Sequence, residues 1–198
     1  MRWKSRRAQA FEYLKTIYRY NEERGAFIID VRLPEYSHAF SQWDNAWVEV
    51  REVAPGLFQY LKECSDDIPH RSALDIVFAI PEPRDHDAEQ QIIRGIRNYF
   101  RYEMFVERAR IRKLVRRGLH YIGVAVFFLI SAAALEPVLR SDIVGATIRE
   151  GLYVGGWVFM WEAISQAWFQ RLTIRRTISD YARFFDASIR FESEDFSG

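Results

Sequence analysis

From Gly118 to Leu135 the chain reads GLHYIGVAVFFLISAAAL, with no formal charge apart from any protonation of His120. The run is about 18 residues long, the low end of what spans the hydrocarbon of a bilayer. A helix buried in a soluble core is the competing reading. Core helices rarely stay apolar all round for about five turns, however, so a membrane span is expected. A second run, GLYVGGWVFMWEAISQAWF from Gly151 to Phe169, has a similar length but carries Glu162, Ser165 and Gln166. Taken with the first, it predicts a two-helix transmembrane hairpin over residues 118–170, with spans at 118–135 and 151–169.

The flanks of the two runs give an expected orientation. Arg108, Arg110, Arg112, Lys113, Arg116 and Arg117 precede the first run, and Arg171, Arg175 and Arg176 follow the second. The connection EPVLRSDIVGATIRE balances two arginines against Glu136, Asp142 and Glu150. Basic residues concentrate on the cytoplasmic side, so a multi-pass protein of the cell inner membrane with both termini cytoplasmic is expected. A nucleic-acid patch is the alternative for the cluster from Arg108 to Arg117, but its place beside an apolar run favours anionic lipid headgroups. The net charge of +1, from 28 basic and 27 acidic residues, gives no global field to steer a polyanion.

Projected on a helix, Tyr153, Trp157, Trp161, Ile164 and Trp168 fall within roughly 80° of one another. Gly151, Gly155, Glu162 and Gln166 collect within roughly 60° nearly opposite them. Gly151 and Gly155 make a small-xxx-small pair that admits a second backbone, and Glu162 with Gln166 offers hydrogen-bonding groups one turn apart. This face is the candidate for helix packing or a pore, and it predicts a homo-oligomer. An acid within a span needs a partner helix, a shared proton or a water-filled path. Both readings of Glu162, an interhelical hydrogen bond and a proton-sensing site, stay open.

The remainder predicts one α/β domain, for which 198 residues leave room. AFIIDVRLP from Ala26, ALDIVFAIP from Ala73 and ASIRFE from Ala187 have strand character. Between the first two, Leu57, Phe58, Leu61 and Cys64 make the apolar stripe of a short helix. The expected organisation is an amphipathic helix at 1–25, whose Arg2, Trp3, Lys4, Arg6 and Arg7 suit a membrane surface. An α/β cytoplasmic domain at 26–84 follows, with about three strands, completed by the strand at 187–192. A stalk helix at 85–117 leads to the hairpin, and a C-terminal helix and strand fill 171–198.

Catalytic and metal chemistry find little support. Cys64 is the lone cysteine, which rules out an intramolecular disulfide and a cysteine cage. His38, His70, His86 and His120 show no metal-ligand spacing, and no phosphate loop or nucleophile elbow is present. The segment PRDHDAEQ gathers Asp85, His86, Asp87 and Glu89, which suits a cation or a helix start rich in acids. No cofactor, metal or catalytic residue is assigned.

The strings GIRNYFRYEMFVERARIRKLVRRG and EGLYVGGWVFMW, with the closing strand, resemble a widespread group of uncharacterised bacterial proteins that have a small cytoplasmic α/β domain and two membrane helices. The resemblance covers roughly residues 93–192 and implies no activity. Members continue after the Trp with a Pro and an acid, where this chain has Glu162, Ala163 and Ser165. The expected function is a non-enzymatic oligomeric membrane protein that couples a cytoplasmic sensing or binding domain to the hairpin, as a small channel or membrane-perturbing effector. A membrane-anchored scaffold that recruits a cytoplasmic protein partner is the alternative.

Overall fold

The computed structural model describes residues 2–47, 50–137 and 143–193, with their side chains except those of residues 2–8, 167 and 169. The basic side chains before Ala8, together with Arg140, Asp142 and residues 194–198, lie outside the described parts. In chain order the elements are α1 (Arg2–Ile17), β1 (Tyr20–Asn21), β2 (Ala26–Arg32), α2 (Pro55–Asp67), β3 (Ala73–Ile80), α3 (His86–Leu135), α4 (Ile143–Ser165), a π-helical turn (Gln166–Gln170), α5 (Arg171–Asp186) and β4 (Ser188–Ser193).

This architecture corrects the expected α/β domain with a two-helix transmembrane hairpin. The described chain is mostly helical, its sheet is mixed and four-stranded, and α3 is the one described helix long and apolar enough to cross a membrane. The second run fails for a physical reason. Its helix, α4, gives way to the π-helical turn after Ser165, so any stretch of α4 long enough to span must reach back over Arg149 and Glu150. Each such charge costs on the order of 2.5–3.5 kcal/mol at the centre of a span. With one qualifying helix, a second crossing and an orientation of the chain across a membrane are not supported.

Residue contacts divide the chain into two units, 1–104 with 179–198, and 105–178. In the first, strand order is β1-β2-β3-β4, with β1 antiparallel to β2 and the other neighbours parallel. The turn from β1 to β2 requires Gly25, whose φ of +62° disfavours a side chain. Asn21 Oδ1 holds that turn by accepting from the backbone N–H groups of Glu23 and Arg24 at 3.1 and 3.3 Å.

Alternation along the strands puts Phe27, Ile29 and Val31 of β2, Ile76, Phe78 and Ile80 of β3, and Ile189 and Phe191 of β4 into one core. Helices cover that face through an aromatic cluster. Phe100 of α3 is fully buried, stacks on Phe184 of α5 at 4.9 Å between ring centroids, and meets Phe58 of α2 and Tyr181 of α5. Arg183 of α5 ties the end of α2 to the start of β3, because its guanidinium donates to Ser65 Oγ at 2.9 Å and to the carbonyls of Ser65, Pro69 and Ser72 at 3.3 Å.

The first turn of α3 shows what PRDHDAEQ does. Asp85 Oδ1 caps the helix by accepting from the N–H groups of Asp87 and Ala88 at 3.0 and 3.1 Å. Buried Glu89 receives both Nε and Nη2 of Arg84, at 2.6 and 2.9 Å. That hydrogen bonding, opposed by desolvation and aided by the charges of Arg84 and His86, holds its carboxyl below the usual range. A depressed folded pKa contributes stability above the unfolded value of about 4.3, and the contribution disappears as pH falls through the folded pKa. Glu89→Gln is therefore expected to lower the unfolding midpoint at pH 7, with the gap to wild type closing once the pH drops below about 4.3. Thermal melts across pH check this.

Candidate functional site

The second unit is built on a seam between α3 and α4. Buried residues on α3 recur every seven positions as Gly118, Ala125 and Ala132, and on α4 Gly156 and Ala163 repeat that interval. A seven-residue repeat keeps a seam in register between two helices and small side chains let the backbones approach, although a Cβ added at Gly118 would meet nothing within 4 Å, so the approach is not close there. Gly155 lies against Phe128, Gly156 against Leu129, and Phe159 against Tyr121, so the two helices run antiparallel. The approach is closest at Gly156, where an added Cβ would sit 2.8 Å from Leu129 Cγ and 3.2 Å from the carbonyl oxygen of Ala125.

The candidate face Gly151, Gly155, Glu162 and Gln166 is divided by this arrangement. Gly151 is exposed, and a Cβ added there would meet nothing within 4 Å, whereas one added at Gly155 would sit 3.1 Å from the Phe128 ring. Glu162 is exposed and accepts a hydrogen bond from Gln166 Nε2 at 2.7 Å within the same chain. Half-buried Gln166 opens the π-helical turn that separates α4 from α5. The candidate face leaves out Gly156, the glycine at which the two helices come closest.

Both helices expose large apolar side chains outside the seam. On α3, Leu119, Phe127 and Ile130 are each more than 60 % exposed, and on α4 Trp157 and Trp161 are 68 and 69 % exposed. Only 11 % of the apolar stretch of α3 is buried. Directly N-terminal to it in the same helix, Arg108, Arg110, Arg112, Lys113, Arg116 and Arg117 are all exposed, and of these Arg110 pairs with buried Glu107 at 2.6 Å.

A cleft of about 470 Å³ lies where this cluster meets the π-helical turn, lined by Arg116, Arg117, His120, Tyr121 and Gln166. Beside it a smaller groove of about 180 Å³ is lined mainly by apolar side chains, among them Ile111, Leu114, Leu119 and Ile122, with Gln166 shared and Arg171 at its edge.

The unit that holds the sheet has its own cleft, of about 490 Å³, at the carboxyl end of β2. Asp30, Arg32, His38, Gly56 and Tyr60 are among its walls, with Val31, Leu33 and Leu57. Ligands of open parallel sheets bind outside the carboxyl ends of strands, where this cleft lies. Tyr60 Oη donates to the carbonyl of Asp30 at 3.0 Å, and burial pushes its phenol pKa up. Among the described residues, no group of three His, Cys, Asp or Glu side chains is placed to hold a metal ion.

Neither a protein-family model, nor a curated protein, nor a solved structure matches the chain, so function must be argued from this geometry.

Proposed function

We propose that the chain is a non-enzymatic integral membrane protein of the bacterial inner membrane, with its helical unit embedded in a bilayer through α3 and the unit that holds the sheet serving as a cytoplasmic binding domain. The observation that carries this reading is the exposed apolar surface of α3 continuing directly from an exposed basic cluster. A soluble core helix of this length would be mostly buried, and an apolar patch this extended marks a surface that meets lipid or another protein. Basic residues at one end of the stretch favour the cytoplasmic side and anionic headgroups. The test is alkaline carbonate extraction of membranes from expressing cells: the full chain should stay with the lipid pellet, and release into the supernatant would contradict the reading.

Self-association is the second element. Glu162 is exposed on the helix face away from Trp161, Ile164 and Trp168, and its described hydrogen bond comes from Gln166 within the same chain. An acid on a membrane-embedded helix, once removed from water, is best satisfied by a second copy of the chain. Glu162→Leu is then expected to lower the oligomer mass measured in mild detergent, and an unchanged mass would exclude this role.

A further inference from the structure

We infer that the cleft lined by Arg116, Arg117, His120, Tyr121 and Gln166 is a binding site for the phosphate-bearing headgroup of an anionic phospholipid, a proposal that rests on the membrane reading above. Three observations converge on it. First, the walls supply cations and neutral donors and no carboxylate. Glu162 is not among the lining residues; its carboxylate takes one N–H of the Gln166 amide, which leaves the second N–H for a ligand. Second, among the described residues neither Arg116 nor Arg117 has an acidic partner, although Arg110, earlier on the same helix, is held by Glu107. Guanidinium groups match phosphate oxygens in a bidentate fashion, so two of them on successive residues make a phosphate site once a wall closes it.

Third, the wall is supplied by the π-helical turn. One extra residue per turn at Gln166–Gln170 interrupts the regular helix opposite the arginines, and single π turns recur at functional positions. The apolar groove beside the cleft shares Gln166, and it has Arg171 at its edge. A phosphate with an attached acyl chain fits this pair of cavities, whereas free phosphate uses only the first. A polar cleft adjoining an apolar groove, at the basic end of an apolar helix, is the arrangement expected for an anionic lipid.

Native mass spectrometry of the full chain in a neutral detergent tests the site, with phosphatidylglycerol and phosphatidylcholine as probes. Phosphatidylglycerol should be retained at least tenfold more than phosphatidylcholine. The double variant Arg116→Gln/Arg117→Gln should lose that preference, while Arg112→Gln/Lys113→Gln, with the same change in net charge, should keep it. Equal retention of both lipids, or equal loss in both double variants, would reduce the site to diffuse surface charge and overturn the proposal. Millimolar inorganic phosphate should not displace the lipid; displacement would assign the site to soluble phosphate instead. A chain that resists carbonate but shows no lipid preference fails only here, whereas one that carbonate extracts fails the membrane reading itself.

Discussion

Phe100→Ala is expected to destabilise the unit that holds the sheet by about 3–5 kcal/mol. The side chain has no exposed surface and touches aromatic residues from α2 and α5, so truncation leaves a cavity bounded by three helices. Loss of the stacked pair with Phe184 adds to the transfer and cavity costs, since such pairs contribute about 0.5–1.5 kcal/mol beyond their buried area. Against a typical total of about 5–15 kcal/mol, this is a large share. Thermal unfolding followed by circular dichroism should show a fall in midpoint on the order of 10 °C. Tyr13→Ala, at a residue 66 % exposed, should change the midpoint little. A Phe100→Ala midpoint as small in change as that of Tyr13→Ala would mean that the three helices do not meet at Phe100.

Gly156→Leu should separate α3 from α4. Even a Cβ at this position meets Leu129 Cγ at 2.8 Å, and the carbonyl of Ala125 behind it belongs to the backbone and cannot rotate away. Overpacking of this kind costs about 1–3 kcal/mol. Gly151→Ala is the contrasting change, because open space surrounds it and replacing a glycine inside a helix by alanine gains up to about 1 kcal/mol. Cysteines introduced at Tyr121 and Phe159, whose rings lie 6.2 Å apart, report the spacing. The cross-link should form in the Gly151→Ala background and fall sharply with Gly156→Leu, and equal yields would show that Gly156 does not set the approach.

The longer strands of the sheet were legible where β-branched and aromatic residues cluster, from Ala26, Ala73 and Ala187. The two-residue β1 was not, because Tyr20 and Asn21 are too few to show alternation, and their pairing depends on the turn at Gly25. Residues 85–117 and the apolar run after them were expected to join as one helix, and α3 does run unbroken from His86 to Leu135. The second run misled because its tryptophans and glycines look membranous in a window that starts at Gly151. The helix they belong to gives way to a π-helical turn after Ser165, and a break of that kind cannot be read from a local window. A helical projection of α4 alone ranks faces by composition, so it singles out Gly155 with Gly151 rather than Gly156, whose close neighbours Leu129 and Ala125 lie on the other helix.

The claim that the apolar surface of α3 faces lipid is tested most directly by nitroxide labels at Phe127, Ile130 and Arg108, placed one at a time in a Cys64→Ala background and reconstituted in phosphatidylcholine and phosphatidylglycerol vesicles. The account predicts that oxygen, which concentrates in hydrocarbon, relaxes the labels at Phe127 and Ile130 far more than a water-soluble nickel chelate does, with the reverse order at Arg108. If the nickel reagent reaches Phe127 and Ile130 as freely as Arg108, that surface faces water and the account is contradicted.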